Sequence, residues 1–135
     1  MIPIFEPYLM GNEKKYLMDC IDSTWISSQG KYITEFERSL ASYHGLEYGI
    51  ATSNCTTALH LAMKALGLGA DDEIICPDLT FIAPANMILL AGAKLKLVDI
   101  DPYTLAFDID LLEKAISDKT KAIIAFGHIP NQQKR

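Results

Sequence analysis

The chain reads as an α/β protein. Short apolar runs at 47–52, 73–76, 95–98 and 121–126 alternate with helical segments at about 56–66, 82–91 and 110–117. The runs are strand length and the segments between them are helix length. Strands alternating with helices build a parallel-rich sheet covered by helices. Half of the 135 residues are hydrophobic and 21% are charged, enough apolar material for a packed core and too much for disorder.

The first 46 residues differ from the remainder of the chain and read as a helical lead-in. Pro3 and Pro7 bracket an extended start. Asn12 is placed to cap a short helix running to about Ser23, in which Tyr16, Leu17, Cys20 and Ile21 recur at helical spacing. Residues 25–30 (WISSQG) read as a loop. A second helix is expected after Tyr32, with Phe36 and Leu40 on its buried face and Gly45 ending it.

The α/β rhythm occupies 47–126. The helix from Thr56 is apolar on nearly every side (Ala58, Leu59, Leu61, Ala62, Met63, Ala65, Leu66), so it is expected to be largely buried. Gly67 and Gly69 close it, and Asp71 and Asp72 turn the chain into the next strand. Asp108 or Asp110 can cap the last helix. After Phe126 the chain reads GHIPNQQKR, with no helix to cover the sheet face just begun. We therefore expect residues 127–135 to be a tail created by truncation or a shifted reading frame.

The strongest chemical signal is IATSNCTTALHLAM, at 50–63. An apolar run ends at Thr52, small polar residues come next, and an apolar helix begins. Such a start aims unpaired backbone N–H groups where a phosphate can sit. The same residues also suit plain capping, with Ser53 or Asn54 bonding the free N–H groups. Both readings stay open on chemistry alone. A Rossmann fingerprint is absent, because Gly67-Leu68-Gly69 lies at a helix end, and a Walker-type loop is absent too.

Residues 77–86 (PDLTFIAPAN) put Thr80, the Phe81 ring and the early-helix Pro84 at a strand's carboxyl end, where α/β sheets bind ligands. Phe81 serves equally as core packing or as a face for a flat cofactor ring. Asp99 and Asp101 flank Ile100; paired carboxylates can do acid–base work, but Asp101-Pro102 is a turn signal, and the turn is the reading we adopt. His44 and His60 lie in helical segments without an evident metal partner, so no metal is expected.

The net charge is −5 with no basic stripe, which argues against nucleic acid or an anionic membrane surface as a partner. No apolar run approaches the roughly 20 residues that span a bilayer, and the start lacks a secretory pattern. Cys20, Cys55 and Cys76 are odd in number and widely spaced, so they read as reduced thiols of a cytoplasmic protein.

Several segments together resemble one family, the DegT/DnrJ/StrS group of pyridoxal-phosphate-dependent sugar aminotransferases. They are IPIFEPYLMGNEKKYLMDCIDSTWISSQGKYITEFE, ATSNCTTALHLAMKALGLGADDEIICPDLTFIAPAN, GAKLKLVDIDPYTLAFD and TKAII, covering nearly the whole chain to about Ala125. Each is weak alone; their order and spacing are specific jointly. The similarity is strongest to perosamine-synthase-like members, which aminate a 4-keto sugar carried on a nucleotide diphosphate.

The resemblance implies an incomplete large domain of the fold-type-I transferase class over 47–126. It implies that Cys55 (more often Gly in the family) and Thr56 bind the pyridoxal 5′-phosphate phosphate through backbone N–H, and that Phe81 stacks on the pyridine ring. Trp25 to Lys31 resemble a loop near the sugar-nucleotide site. Glutamate as amino donor, a nucleotide-linked keto sugar as acceptor, a homodimer and a role in surface polysaccharide biosynthesis are implied as well. The family's Schiff-base Lys, the Asp that keeps the pyridine nitrogen protonated, and a further phosphate-binding Ser all match positions beyond Arg135. None of the ten lysines here matches a catalytic position. The expectation is thus an N-terminal fragment, inactive alone. Its strand at 47–52 would lack the neighbour that later strands provide, so the isolated chain should be unstable, aggregate or borrow partners. Two rival readings are a non-catalytic fragment that binds a full-length aminotransferase, and an unrelated phosphate-binding α/β domain.

Overall fold

The computed structural model describes residues 6–126; the expectations for Pro3 and for 127–135 lie outside the described residues. The chain divides into two compact units, Met1–Ala51 and Thr52–Arg135.

In the first unit, α1 spans Glu13–Asp22 and α2 spans Lys31–Tyr43. Asn12 occupies the N-cap position of α1 without capping it, contrary to expectation. Its backbone (φ −93°, ψ 9°) is not the extended conformation that turns a cap side chain onto the helix. The Glu13 carboxylate instead folds back to accept the Gly11 N–H at 2.9 Å. The expected loop at 25–30 is present, closed by the Trp25 indole N–H donating to the Gln29 carbonyl.

Asp19 joins the two helices. Its carboxylate accepts from Lys31 Nζ at 2.5 Å and from the Tyr32 hydroxyl at 2.9 Å, and the Tyr16 and Tyr32 rings meet at 4.8 Å. Gly45, at φ +67°, ends α2 as expected. Phe36 and Leu40, in contrast, are exposed, and in α2 only Ala41 is buried. Two short helices provide no second layer to cover an apolar stripe.

The expected strand at 47–52 does not form. No described strand pairs with it, and a strand without a ladder partner gains nothing for its N–H and C=O groups. The segment is held differently: the Glu37 carboxylate accepts the Ala51 N–H at 2.8 Å. Gly49 passes so close to α2 that a Cβ there would lie 2.5 Å from the Glu37 carbonyl oxygen.

The second unit is the α/β body: α3 (Cys55–Ala65), β1 (Glu73–Pro77), α4 (Ile82–Ala91), β2 (Lys94–Val98), α5 (Ile109–Ala115) and β3 (Thr120–Ile123). The strands form one parallel sheet in the order β2-β1-β3, with β1 and β2 in register from Glu73↔Lys94 to Pro77↔Val98. The β1–β3 register shifts between Glu73 and Ile74. Ile74, Ile75 and Cys76 of the central strand are fully buried, as parallel strands covered on both faces require. Ile74 and Cys76 join Met63, Leu68, Ile88, Ala91 and Ala93 in the core.

The helix boundaries follow their sequence signals. The Asn54 side chain caps α3, accepting the Thr57 N–H at 3.0 Å, and Gly67 (φ +69°) closes it while the Leu68 N–H returns to the Met63 carbonyl. Asp108 caps α5 through the Leu111 N–H. The expected burial of α3 does not hold: Met63 is its one buried residue, and Leu61 and Leu66 are exposed. The helix packs against α4, and Met63 is the residue it contributes to the core.

At the start of the sheet, Glu73 gathers the strands. Its Oε1 accepts from the Thr120 hydroxyl at 3.0 Å, the Ser117 hydroxyl at 3.1 Å and Lys96 Nζ at 3.2 Å. These contacts hold its carboxyl below the usual range, the Thr120 bond contributing most and burial opposing.

Candidate functional site

The sheet topology and one hydrogen bond place the ends of α3 and α4. The crossover helix α4 runs from the carboxyl end of β1 back toward the start of β2. Lys64, in the last turn of α3, donates to the carbonyl of Ala91, the last residue of α4, at 3.2 Å. Two packed helices with adjacent C-termini are parallel, so both N-termini lie at the carboxyl end of β1. Ligands of open α/β sheets bind at that end.

At the α3 terminus the cap takes some of the backbone donors and leaves others unbonded. Asn54 Oδ1 takes the Thr57 N–H and the Asn54 carbonyl takes the Ala58 N–H at 3.1 Å. The Thr57 hydroxyl donates to the Asn54 carbonyl at 2.9 Å. Among the described residues the N–H groups of Cys55 and Thr56 make no hydrogen bond. The cap therefore fixes the first turn and leaves two donors of a helix N-terminus for an anion. The Cys55 thiol is free and exposed.

Phe81 occupies the N-cap position of α4, and the residue is 74% exposed, far more than core packing would leave. It meets Phe126 edge-on, centroids 6.0 Å apart and planes at 69°. Leu79, Thr80, Phe81 and Phe126 line a small cavity of about 200 Å³. The Thr80 Oγ1 is buried without a hydrogen-bond partner.

The remaining sequence candidates fall outside this group. Asp101 Oδ1 accepts the Tyr103 and Thr104 N–H groups at 2.9 and 2.7 Å, and Asp99 Oδ1 accepts the Ile100 N–H at 2.8 Å. The turn reading holds: the Thr104 and Tyr103 bonds keep the Asp101 carboxyl below its ordinary value, which suits a turn and not proton exchange near neutrality. His44 packs edge-on to Tyr43, and His60 Nε2 is buried without a partner. Among the described residues no group of three His, Cys, Asp or Glu is placed to hold a metal ion.

Within the first unit a separate cavity of about 620 Å³ is lined by Asp19, Trp25, Gln29, Gly30, Lys31 and Tyr32, among others. The Trp25–Lys31 loop was readable from sequence. Asp19 was not, because its partners lie 12 and 13 residues away, beyond any local pattern.

The profile of the DegT/DnrJ/EryC1/StrS aminotransferase family matches residues 7–129. The chain belongs to this family. GDP-perosamine synthase of Caulobacter vibrioides is 50% identical over 123 residues, which are 91% of this chain and 33% of that protein. GDP-perosamine synthase of Vibrio cholerae is 46% identical over 132 residues, 98% of this chain and 36% of that protein. Among solved structures, the PMP form of sugar aminotransferase Spr1654 from Streptococcus pneumoniae superposes with a TM-score of 0.83 at 36% identity, covering 92% of this chain and 31% of that one. GDP-4-keto-6-deoxy-D-mannose-3-dehydratase of Escherichia coli with bound hydrated PLP gives 0.82 at 31% identity, covering 91% and 33%.

The chain thus spans about a third of the length of the relatives it matches. Membership removes the reading of an unrelated phosphate-binding domain. It bears out the α/β fold class as part of the fold shared by pyridoxal-phosphate-dependent sugar aminotransferases. No helix among the described residues is long and apolar enough to cross a membrane.

Proposed function

We propose that these residues form the phosphate-and-ring side of a pyridoxal 5′-phosphate site in an enzyme that aminates a nucleotide-linked keto sugar. Glutamate is the amino donor, and the product serves surface polysaccharide synthesis in the cytoplasm. The observation that carries this reading is the pair of free N–H groups at Cys55 and Thr56, at the same end of the body as the exposed Phe81 ring. Donors without a partner fit a phosphate, and a bare aromatic face fits a flat ring.

In this reading the Cys55 and Thr56 N–H groups donate to the phosphate, aided by the positive end of the α3 dipole. Cys55 in place of Gly leaves that backbone donor intact. Asn54 holds the first turn in shape by bonding Thr57, so the two donors are presented without reorganisation. Phe81 offers its face to the pyridine. Bound there, the cofactor supplies an electron sink and a carrier for the amino group. Trp25 to Lys31, at the cavity of the first unit, are assigned to the sugar nucleotide. The intact enzyme acts as a homodimer.

By themselves the 135 residues bind and do not transaminate, since none of their lysines matches the family's catalytic position. The test is titration with 4′-deoxypyridoxine 5′-phosphate, a cofactor analogue without the aldehyde that would label surface lysines. Saturable binding displaced by inorganic phosphate is expected; no binding sinks the reading. Turnover of glutamate and a keto sugar nucleotide in the presence of pyridoxal 5′-phosphate would equally overturn the claim of inactivity.

A second reading, a non-catalytic piece that associates with a full-length relative, is favoured by α4. That helix has no charged residue yet leaves Ile82, Leu89 and Leu90 exposed. Co-purification with the Caulobacter vibrioides protein would support it; two independent peaks on gel filtration of the mixture would end it.

A further inference from the structure

The hydroxyl of Thr80 makes no hydrogen bond in the fold. Its Oγ1 is buried and unpartnered, although nearly all buried polar atoms in native proteins find a hydrogen bond. Its neighbours give it no other occupation. Thr80 lies just past the carboxyl end of β1, directly precedes Phe81, and with Leu79, Phe81 and Phe126 lines the cavity of about 200 Å³. A threonine that serves only as packing is better replaced by valine, which has the same shape and no polar atom to strand.

We infer that Thr80 is a binding residue of this site, its hydroxyl making a hydrogen bond to a polar substituent of the ring that stacks on Phe81. This rests on the proposed function and extends it from the phosphate to the ring edge. Rotation about χ1 exchanges the positions of the methyl and hydroxyl on the Thr80 Cβ. Because Oγ1 has no bond where it now sits, turning it to the cavity breaks none and gains one. A hydroxyl can donate or accept, so it serves either an oxygen or an N–H on the ligand.

The experiment compares the full chain with Thr80→Val and Thr80→Ser, titrating 4′-deoxypyridoxine 5′-phosphate and, separately, inorganic phosphate. Thermal unfolding without ligand is recorded in parallel. The expected result is about tenfold weaker analogue binding by Thr80→Val, near-original binding by Thr80→Ser, and unchanged phosphate binding by both. The ligand-free Thr80→Val chain should be no less stable, since it loses only a stranded hydroxyl. Equal analogue binding by Thr80→Val overturns the inference, as does a parallel loss of phosphate affinity. A Thr80→Val chain that fails to fold also overturns it, because the hydroxyl would then be structural. Failure of the unsubstituted chain to bind the analogue removes the proposed function itself, and this inference with it.

Discussion

Lys64 Nζ lies 3.2 Å from the carbonyl oxygen of Ala91, joining the last turns of α3 and α4. The ammonium satisfies a carbonyl that α4 cannot bond internally, and it adds positive charge where two helix dipoles end. Because the C-termini are held together, the N-termini carrying Cys55, Thr56 and Phe81 share the opposite end. The bond braces the body roughly 15 Å from those N-termini, by the rise of an eleven-residue helix, and touches none of their groups.

Lys64→Met keeps the aliphatic stem and removes that bond. It should cost about 1 kcal/mol, read as a lower urea midpoint at unchanged slope. Phosphate binding should survive in the fraction that remains folded. A loss of phosphate affinity without a stability change would contradict this division of labour.

Asn54 separates capping from anion binding. Asn54→Ala should cost about 1 kcal/mol by stranding the Thr57 N–H. Asn54→Asp keeps an acceptor for Thr57 and should hold or raise stability, because an acid is favoured at a helix N-terminus. Its negative charge should nevertheless weaken inorganic phosphate binding. Improved phosphate binding by Asn54→Asp would show that the anion does not sit at this terminus.

The same region shows how much of the fold was legible in the sequence. Asn54, Gly67 and Asp108 are local signals, and the three described strands and five described helices lie close to the runs and segments that predicted them. The Ser-Asn-Cys-Thr-Thr start likewise marked the helix N-terminus at which the Cys55 and Thr56 N–H groups make no hydrogen bond among the described residues. The expectations that failed depended on partners far away in sequence. The run at 47–52 has strand composition and no strand to pair with. Phe36, Leu40 and Leu61 have core spacing, yet among the described residues they stay exposed. Thr80 was visible as a residue at a strand end, but its stranded hydroxyl exists only once the surroundings pack.

That uncovered apolar surface has a consequence in solution. Phe36 and Tyr43 of α2, Leu61 of α3, and Ile82, Leu89 and Leu90 of α4 all remain exposed. Apolar surface left exposed on each unit drives association. Light scattering should rise with protein concentration, and exchange of charged residues for Leu89 and Leu90 should reduce it. A sharp, concentration-independent melt of a monomer would refute the expectation.

Glu73 makes the sheet sensitive to acid. Its folded-state pKa lies below the ordinary 4.5, chiefly through the Thr120 hydroxyl and then through Lys96 and Ser117. A lowered carboxylate pKa stabilises the fold fully above the unfolded value, and the contribution is lost as pH falls through the folded one. The urea midpoint should hence drop as pH falls below about 4.5, the ordinary value. Glu73→Gln should be less stable than the parent at pH 7, and the gap should close toward acid. A gap independent of pH would show that the carboxylate's charge is irrelevant to the network.

Phe81 gives the most direct separation of binding from folding. The residue is 74% exposed and its described aromatic contact is edge-on to Phe126, so truncation removes little buried area. Phe81→Ala should change stability by no more than about 1 kcal/mol, the scale of one aromatic pair. Loss of the stacking face should weaken 4′-deoxypyridoxine 5′-phosphate about tenfold while leaving inorganic phosphate binding intact. Phe81→Tyr, which keeps the face, should restore the analogue. If Phe81→Ala bound the analogue as tightly as the parent chain, the ring would have to rest elsewhere, and the two free donors of α3 would serve an anion without an aromatic body.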